Sequence, residues 1–227
     1  MIQHRLVLIH PVDPRSAARG LAARLEGILA RRPDDFSVLF VGVDECGDLS
    51  LGRPVGFEAS GRPYDFLPVM RAQRSGWTPG GDVSWSARLA FRLAFLRRLA
   101  VIRDLADGER ASTELHDAGW APLARLLGNP IVQVVDPPRR EAGRIAAIDE
   151  FVALRLASRI VGDHATVRRL RGLGAAVAAK TEILRLPSPT GSVESGACPE
   201  SEIQRLYERH RRFYRVGRAG AAHPAVA

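Results

Sequence analysis

The 227-residue sequence predicts an α/β domain of the Rossmann-like type, with a doubly wound, mainly parallel sheet and helices on both faces. Short runs of Val, Ile and Leu alternate with helical segments along most of the chain, as strands buried on both faces of a parallel sheet require. Glycine and proline turn signals separate these segments. Since consecutive strands are separated by helices, right-handed crossovers and a parallel sheet are expected.

The N-terminal part predicts a β-α-β unit. Residues 5–9 (RLVLI) form an apolar run that His10-Pro11 ends, which is typical of a buried strand. Ser16 is placed to cap a helix that extends to residue 31 with one apolar face. Residues 37–43 (SVLFVGV) then predict the second strand.

The remaining segments continue the alternation as far as Pro187. The stretch 44–82 is rich in Gly and Pro and predicts only two short strands, at 54–58 and 64–69. The later predicted helices are 83–107, 119–127, 144–157 and 165–173, the last with Asp163 as its N-cap. The later predicted strands are 111–116, 131–135, 158–162 and 181–186.

Composition divides the chain into three parts. Residues 1–187 form the predicted domain, and residues 188–199 (SPTGSVESGACP) have the composition of a linker. Residues 200–227 predict a helical tail that begins at the charged segment ESEIQRLYERHRR and ends in a disordered GRAGAAHPAVA.

Several classes of function are disfavoured. The net charge of +8 comes from arginines spread along the chain, without a basic tail or interleaved aromatics, so nucleic acid is not an expected partner. Cys46 and Cys198 lack metal-type spacing, which argues against a disulfide scaffold or a zinc site. No GxGxxG segment supports a dinucleotide cofactor.

The expected location is the cytoplasm, because cysteines are few and no window offers the roughly 20 apolar residues of a membrane span. Arg88, Arg92 and Arg103 lie near one stripe of the predicted helix 83–107. That stripe indicates either a peripheral contact with anionic lipid at the inner membrane face, or a phosphate site, or an ordinary solvated helix face, and the last is favoured.

Polar residues follow the predicted strands, and ligands of doubly wound sheets bind at the carboxyl ends of the strands. The residues at these ends are His10, Asp13, His116, Asp136, Asp163 and His164. His116 is a candidate sugar ligand or proton shuttle, with a structural role as the alternative. Asp136 either accepts a hydrogen bond from an acceptor hydroxyl or serves the turn before Pro137-Pro138. Glu114 lies in a buried strand pattern and needs a partner.

The order of these segments resembles the N-terminal domain of family 4 glycosyltransferases, which have the GT-B fold, over residues 5–187. The resemblance is carried by RLVLIHPVDPRSAARG, with Gly20 at the loop–helix position, and by STELHDAGWAPLARLLGNPIVQVVD, with His116 at a strand end. It continues in EFVALRLASRIVGDHATVRRLRGLG and TEILRLP. The sequence departs from the family at Arg19, where a glycine is usual, at Asp136, where a histidine is common, and at Ser158, which replaces an aspartate.

The resemblance implies transfer of a sugar from a nucleotide sugar to an acceptor with retention of configuration. It implies catalytic positions at His116 and Asp136, and an acceptor-binding loop containing Asp13, Arg19 and Gly20. No metal or other cofactor is expected, since the nucleotide sugar is a substrate.

Near the C-terminus, residues 213–218 (FYRVGR) resemble the first strand of the family's donor-binding domain. In the family, a Glu-x7-Glu motif that holds the nucleotide ribose and sugar lies in the donor-binding domain, and we expect that domain to be missing from this chain. We therefore expect little or no transferase activity from this chain alone, and a donor lobe supplied by another chain. A truncated remnant and a stand-alone Rossmann-like binding module are the alternatives. An exposed cleft face would favour self-association or a partner.

Overall fold

The computed structural model describes residues 4–11, 13–16, 27–59, 61–72, 84–107, 110–135, 144–184 and 200–220. Their strands form one eight-stranded sheet with the order β3-β4-β2-β1-β5-β6-β7-β8. The strands are β1 (His4–Ile9), β2 (Phe36–Asp44), β3 (Val55–Ala59), β4 (Arg62–Arg71), β5 (Ala111–Leu115), β6 (Ile131–Val135), β7 (Arg159–Gly162) and β8 (Thr181–Ile183). The β3–β4 pair is antiparallel and the other neighbours are parallel. The predicted α/β, Rossmann-like class is confirmed.

The helices are α1 (Trp85–Arg97), α2 (Leu99–Ala106), α3 (Ala121–Arg125), α4 (Arg144–Leu156), α5 (His164–Arg171), α6 (Ala175–Ala178) and α7 (Glu200–Gly220). Residues 27–30 are also helical, and 3-10 turns occupy Pro14–Ser16 and Ala118–Trp120. Residues 17–26 of the predicted first helix lie outside the described part of the chain.

The sheet is covered by helices on both faces, because its central strands carry apolar side chains on each side. On one face, Val7 and Val41 pack with Phe91 and Phe95 of α1. On the other face, Leu6, Leu8 and Phe36 pack with residues 27–30 and α7, whose buried side chains are Ile203, Leu206 and Tyr207.

The predicted helix 83–107 is in fact two helices, because Arg98 has φ −114° and ψ 11° and the helix breaks there. The Arg98 N–H bonds to the Phe95 carbonyl over 3.0 Å, which tightens the last turn of α1. The break lets α1 bury Phe91 and Phe95 while α2 separately buries Ile102 and Ala106. The predicted helix 119–127 is also shorter, since it begins with the 3-10 turn and its α-helix ends at Arg125.

The helical segment predicted as a tail packs on the sheet. Tyr207 is buried, and its hydroxyl donates a hydrogen bond of 2.8 Å to the Ile28 carbonyl oxygen. Arg209 pairs with Glu182 over 2.7 Å, and Arg211 pairs with Asp35 over 2.5 Å. These contacts join α7 to the edge strand β8, to the residue that precedes β2 and to the helical residues 27–30.

A strand over residues 213–218 is not formed, so that expectation from the family resemblance is wrong. The backbone of this segment continues α7 as far as Gly220. The buried positions 203, 206, 207 and 210 recur at helical spacing in the preceding part of α7. The predicted linker 188–199 and the last residues, 221–227, lie outside the described part.

Asp163 caps α5, as predicted, because its Oδ1 accepts a hydrogen bond of 2.7 Å from the Thr166 N–H. We expect Asp163→Ala to lower the free energy of unfolding by about 1 kcal/mol, the usual cost of losing an N-cap acceptor. Urea unfolding at pH 7 measures the change. Asp163→Asn keeps an acceptor and should remain close to the wild type. Equal losses in the two variants would mean that the cap contributes nothing.

Candidate active site

The topological switch point of the sheet lies between β1 and β5. From β1 the chain adds β2 and β4 on one side, and β5 then pairs with the other side of β1. The carboxyl ends of β1 and β5 therefore flank the position where ligands bind in doubly wound sheets. His10 follows β1 and His116 follows β5, directly after the paired residues Ile9 and Leu115. The sheet thus brings two of the predicted strand-end histidines to one edge.

Strand β5 carries a row of polar side chains on the face covered by α7. Ser112, Glu114 and His116 alternate along the chain and share this face, and all three are buried. Ser112 and Glu114 lie in the interior of the sheet, since β5 is paired on both sides, and His116 directly follows the end of the strand. Buried polar groups of this kind need hydrogen-bond partners.

Glu114 is fully buried and binds two imidazoles. Its Oε1 accepts a hydrogen bond of 2.7 Å from His116 Nε2, and its Oε2 accepts one of 2.9 Å from His210 Nε2 in α7. The second nitrogen of His210, Nδ1, lies 2.9 Å from Ser112 Oγ. His116 Nδ1 is buried and makes no hydrogen bond to the described residues. The four side chains form a continuous chain of hydrogen bonds, Ser112–His210–Glu114–His116, which we call the buried relay.

The relay holds Glu114 in its ionised form. Burial acts to raise the pKa of Glu114, but the hydrogen bonds from His116 and His210 outweigh it and lower the pKa to about 2. A carboxylate accepts hydrogen bonds only, so both imidazoles present Nε2–H to it. His116 is therefore fixed in orientation, with Nδ1 as its remaining nitrogen.

A second polar cluster lies at the carboxyl ends of β1 and β2 and is centred on Arg15. The guanidinium binds Asp13 over 2.7 Å, Asp44 over 2.8 Å and Asp48 over 2.9 Å. Asp13 and Asp44 are fully buried, and Asp13 Oδ2 also accepts the Glu45 N–H over 3.1 Å. The hydrogen bond with Asp13 raises the pKa of Arg15 above its ordinary value. The side chain of Asp13, a predicted acceptor-binding residue, is thus bound to Arg15.

Three of the other predicted site residues, Arg19, Gly20 and Asp136, lie outside the described part of the chain. His164 is exposed, with Nε2 3.4 Å from Arg168 in the next turn of α5. Asp163 caps that helix, and the two adjacent residues do not act as a pair.

Sequence reasoning missed Ser112 and His210. His210 occupies an apolar position of α7, seven residues after Ile203, and a polar residue at such a position signals a buried partner. The predicted burial of Glu114 in β5 likewise indicated that it needs a partner. His210 is 96 residues away in sequence, so no local pattern could connect the two residues.

The three arginines considered for lipid or phosphate binding form hydrogen bonds or ion pairs with other residues of the same domain. Arg88 pairs with Asp117 over 3.1 Å, and Arg92 donates to the Gly119 carbonyl oxygen over 2.9 Å. Arg103 donates to the Leu126 carbonyl oxygen over 2.8 Å. Among the described residues, no helix is long and apolar enough to cross a membrane, and no group of three or more acidic, His or Cys side chains is arranged to hold a metal ion.

No protein-family model and no curated protein matches the sequence. Solved structures that resemble it include OtsA in its apo form, with 15% identity over 81% of this chain and 49% of that chain and a TM-score of 0.45. A ugt transferase from Siraitia grosvenorii in complex with UDP has 12% identity over 91% and 55%, with a TM-score of 0.47. Trehalose-6-phosphate from E. coli, bound with UDP-2-fluoro glucose, has 15% identity over 90% and 54%, with a TM-score of 0.44.

The chain spans about half the length of these proteins. Identities this low say nothing about the chemistry of this chain, which depends on its own residues.

Proposed function

We propose that this chain is the acceptor-side lobe of a glycosyl-transfer protein, in which His116 binds a hydroxyl of the acceptor or sugar. The observation that carries the proposal is the Glu114–His116 pair at the carboxyl end of β5, beside the switch point of the sheet. An imidazole whose Nε2–H is held by a buried carboxylate has one acceptor nitrogen left when it is neutral. The sequence motifs that resemble family 4 glycosyltransferases favour a sugar as the ligand.

In this proposal Nδ1 of His116 accepts the hydrogen bond of the acceptor hydroxyl. When the acceptor oxygen bonds to the sugar's anomeric carbon, the nucleoside diphosphate leaves with the bonding electron pair, and the hydroxyl proton passes to Nδ1. The Glu114 carboxylate stabilises the imidazolium that results, since it accepts a charge-assisted hydrogen bond. The side chain of His116 is only 1% exposed, so a hydroxyl reaches Nδ1 only when the residues packed around His116 move.

The remaining predicted residues belong to the same proposal. We propose Asp136 as a second polar group that binds the acceptor, and Asp13, Arg19 and Gly20 as further acceptor-binding residues, as the family resemblance implies. The donor is a nucleotide sugar without a metal or other cofactor. Transfer needs a second lobe, on this polypeptide or on another chain, because one lobe alone does not exclude water from the reacting groups.

The first test measures binding of acceptors to the full 227-residue chain. We expect His116→Phe, which keeps a planar ring without nitrogens, to weaken binding of a hydroxylated glycoside acceptor roughly tenfold, the effect of one lost hydrogen bond. A panel of glycosides titrated by NMR and calorimetry measures it.

His164→Phe is the matched control, since His164 is an exposed histidine that follows β7 at the same edge of the sheet. Equal affinities in the wild type and both variants would refute the role of His116. Binding of a nucleotide with no sugar or acceptor affinity would instead favour a stand-alone binding module.

A further inference from the structure

The negative charge of Glu114 in the buried relay needs a positive charge to balance it. A carboxylate as deeply buried as Glu114 is stable only with a compensating positive charge close by. The described side chains that hydrogen-bond to its oxygens are His116 and His210. Among the described residues, these two imidazoles are therefore the candidates in direct contact with Glu114 for carrying the balancing proton.

Within the described part of the chain, three other ionisable groups near the relay are already paired or held neutral. Arg211 of α7 is paired with Asp35, which precedes β2. Burial lowers the pKa of His4 in β1, and burial together with the nearby Glu114 charge raises the pKa of Tyr207 in α7, so both stay neutral at pH 7. Arg110, before β5, acts on His4 through its charge rather than through contact with Glu114.

The two imidazoles differ in how well they accommodate a second N–H. His210 Nδ1 lies 2.9 Å from Ser112 Oγ, and this oxygen is placed to accept a hydrogen bond when Nδ1 carries a proton. His116 Nδ1 has no partner among the described residues, so a proton there would be a buried donor without an acceptor. An unsatisfied buried donor costs about 1–3 kcal/mol, more when it is charged. The geometry favours protonation of His210 over His116.

We propose that His210 is a positioning residue that carries the proton balancing Glu114, and that it thereby keeps His116 neutral, with its proton on Nε2 and a lone pair on Nδ1. Ser112 completes the arrangement as the acceptor of the His210 Nδ1–H. This inference rests on the proposed role of His116, and it adds that α7, about 90 residues further along the chain, sets the protonation state of that residue.

The experiment is a long-range ¹H–¹⁵N correlation spectrum of the imidazole rings in the full chain at pH 7, without any ligand. In the wild type we expect His116 to show one protonated and one unprotonated nitrogen, with the proton on Nε2, and His210 to show two protonated nitrogens. In His210→Gln, where the neutral amide cannot balance Glu114, we expect both nitrogens of His116 to become protonated. His164→Gln, which leaves the relay intact, supplies the assignment control.

The wild-type spectrum is decisive even if His210→Gln does not fold. A doubly protonated His116, or a neutral His116 with its proton on Nδ1, would overturn the proposal. So would a His116 that stays neutral in a folded His210→Gln variant. The NMR measurement requires no acceptor, so it tests the protonation of the relay independently of acceptor binding. If the expected spectrum were observed but no glycoside bound, the proposed function would be rejected and the proposed protonation of the relay would stand.

Discussion

Replacing Glu114 with leucine is expected to lower the free energy of unfolding by about 3–5 kcal/mol, the range for breaking a buried ion pair by removing one partner. The substitution takes away the acceptor of two hydrogen bonds and leaves the Nε2–H groups of His116 and His210 buried without partners. Leucine has a similar volume, so the loss is mainly one of polar interactions and not of packing. Urea denaturation followed by circular dichroism at pH 7 gives the change.

Thr113→Val is the matched control for this substitution. Thr113 immediately precedes Glu114 in β5, is equally buried, and has a hydroxyl that makes no hydrogen bond within the described part of the protein. The side chain points to the opposite face, so its replacement leaves the relay intact and should change the stability by less than about 1 kcal/mol. Similar losses in the two variants would show that β5 tolerates no substitution and that the relay has no special weight.

The pH dependence of the free energy of unfolding, measured for the wild type and Glu114→Leu, separates the contribution of the Glu114 charge from that of side-chain packing. The pKa of Glu114 in the folded protein, about 2, lies below the 4.5 of an unperturbed Glu, so its ionised form stabilises the fold above pH 4.5. That contribution is lost as the pH falls from 4.5 towards 2. The stability gap between wild type and Glu114→Leu should therefore narrow over this interval, and a constant gap would contradict an ionised Glu114.

The strands of this fold were predictable because burial on both faces leaves an uninterrupted apolar run. Strands β1, β2 and β6 follow from RLVLI, SVLFVGV and IVQVV to within one residue at either end. The break at Arg98 was not predictable, since helical periodicity continues through it and only the packing of α1 and α2 on the sheet requires two directions.

The sequence predicted those site residues that directly follow a strand, but not those that other elements bring to the site. His116 could be proposed because strand ends meet at one edge of a parallel sheet. That Glu114 needs a partner followed from its burial pattern, but the identity of that partner depends on where α7 packs. The apolar stripe of α7 predicts that one face of the helix is buried, but not which strand it packs against. The roles of His210 and Ser112 could therefore be identified only from the structure.

Replacing Arg15 with methionine is also expected to cost about 3–5 kcal/mol, because two fully buried carboxylates, Asp13 and Asp44, lose their shared positive charge. Methionine is an unbranched side chain without charge, so it also loses the contact of the guanidinium with the Phe57 ring, whose centroid lies 5.4 Å from Arg15 Cζ. Lysine keeps the charge but cannot span three carboxylates, so Arg15→Lys should lie between the methionine variant and the wild type. Urea unfolding at pH 7 ranks the three proteins.

Arg205→Met is the surface control, since Arg205 is largely exposed and pairs with Glu202 one turn away over 3.1 Å. Exposed pairs of this kind contribute about 0.3–0.5 kcal/mol. If Arg15→Met were as mild, Asp13 would not depend on Arg15 for its charge, and its carboxylate would be free to exchange Arg15 for an acceptor hydroxyl. A large loss instead means that Asp13 acts by anchoring the loop after β1, and that any contact with an acceptor is made by that loop's other residues.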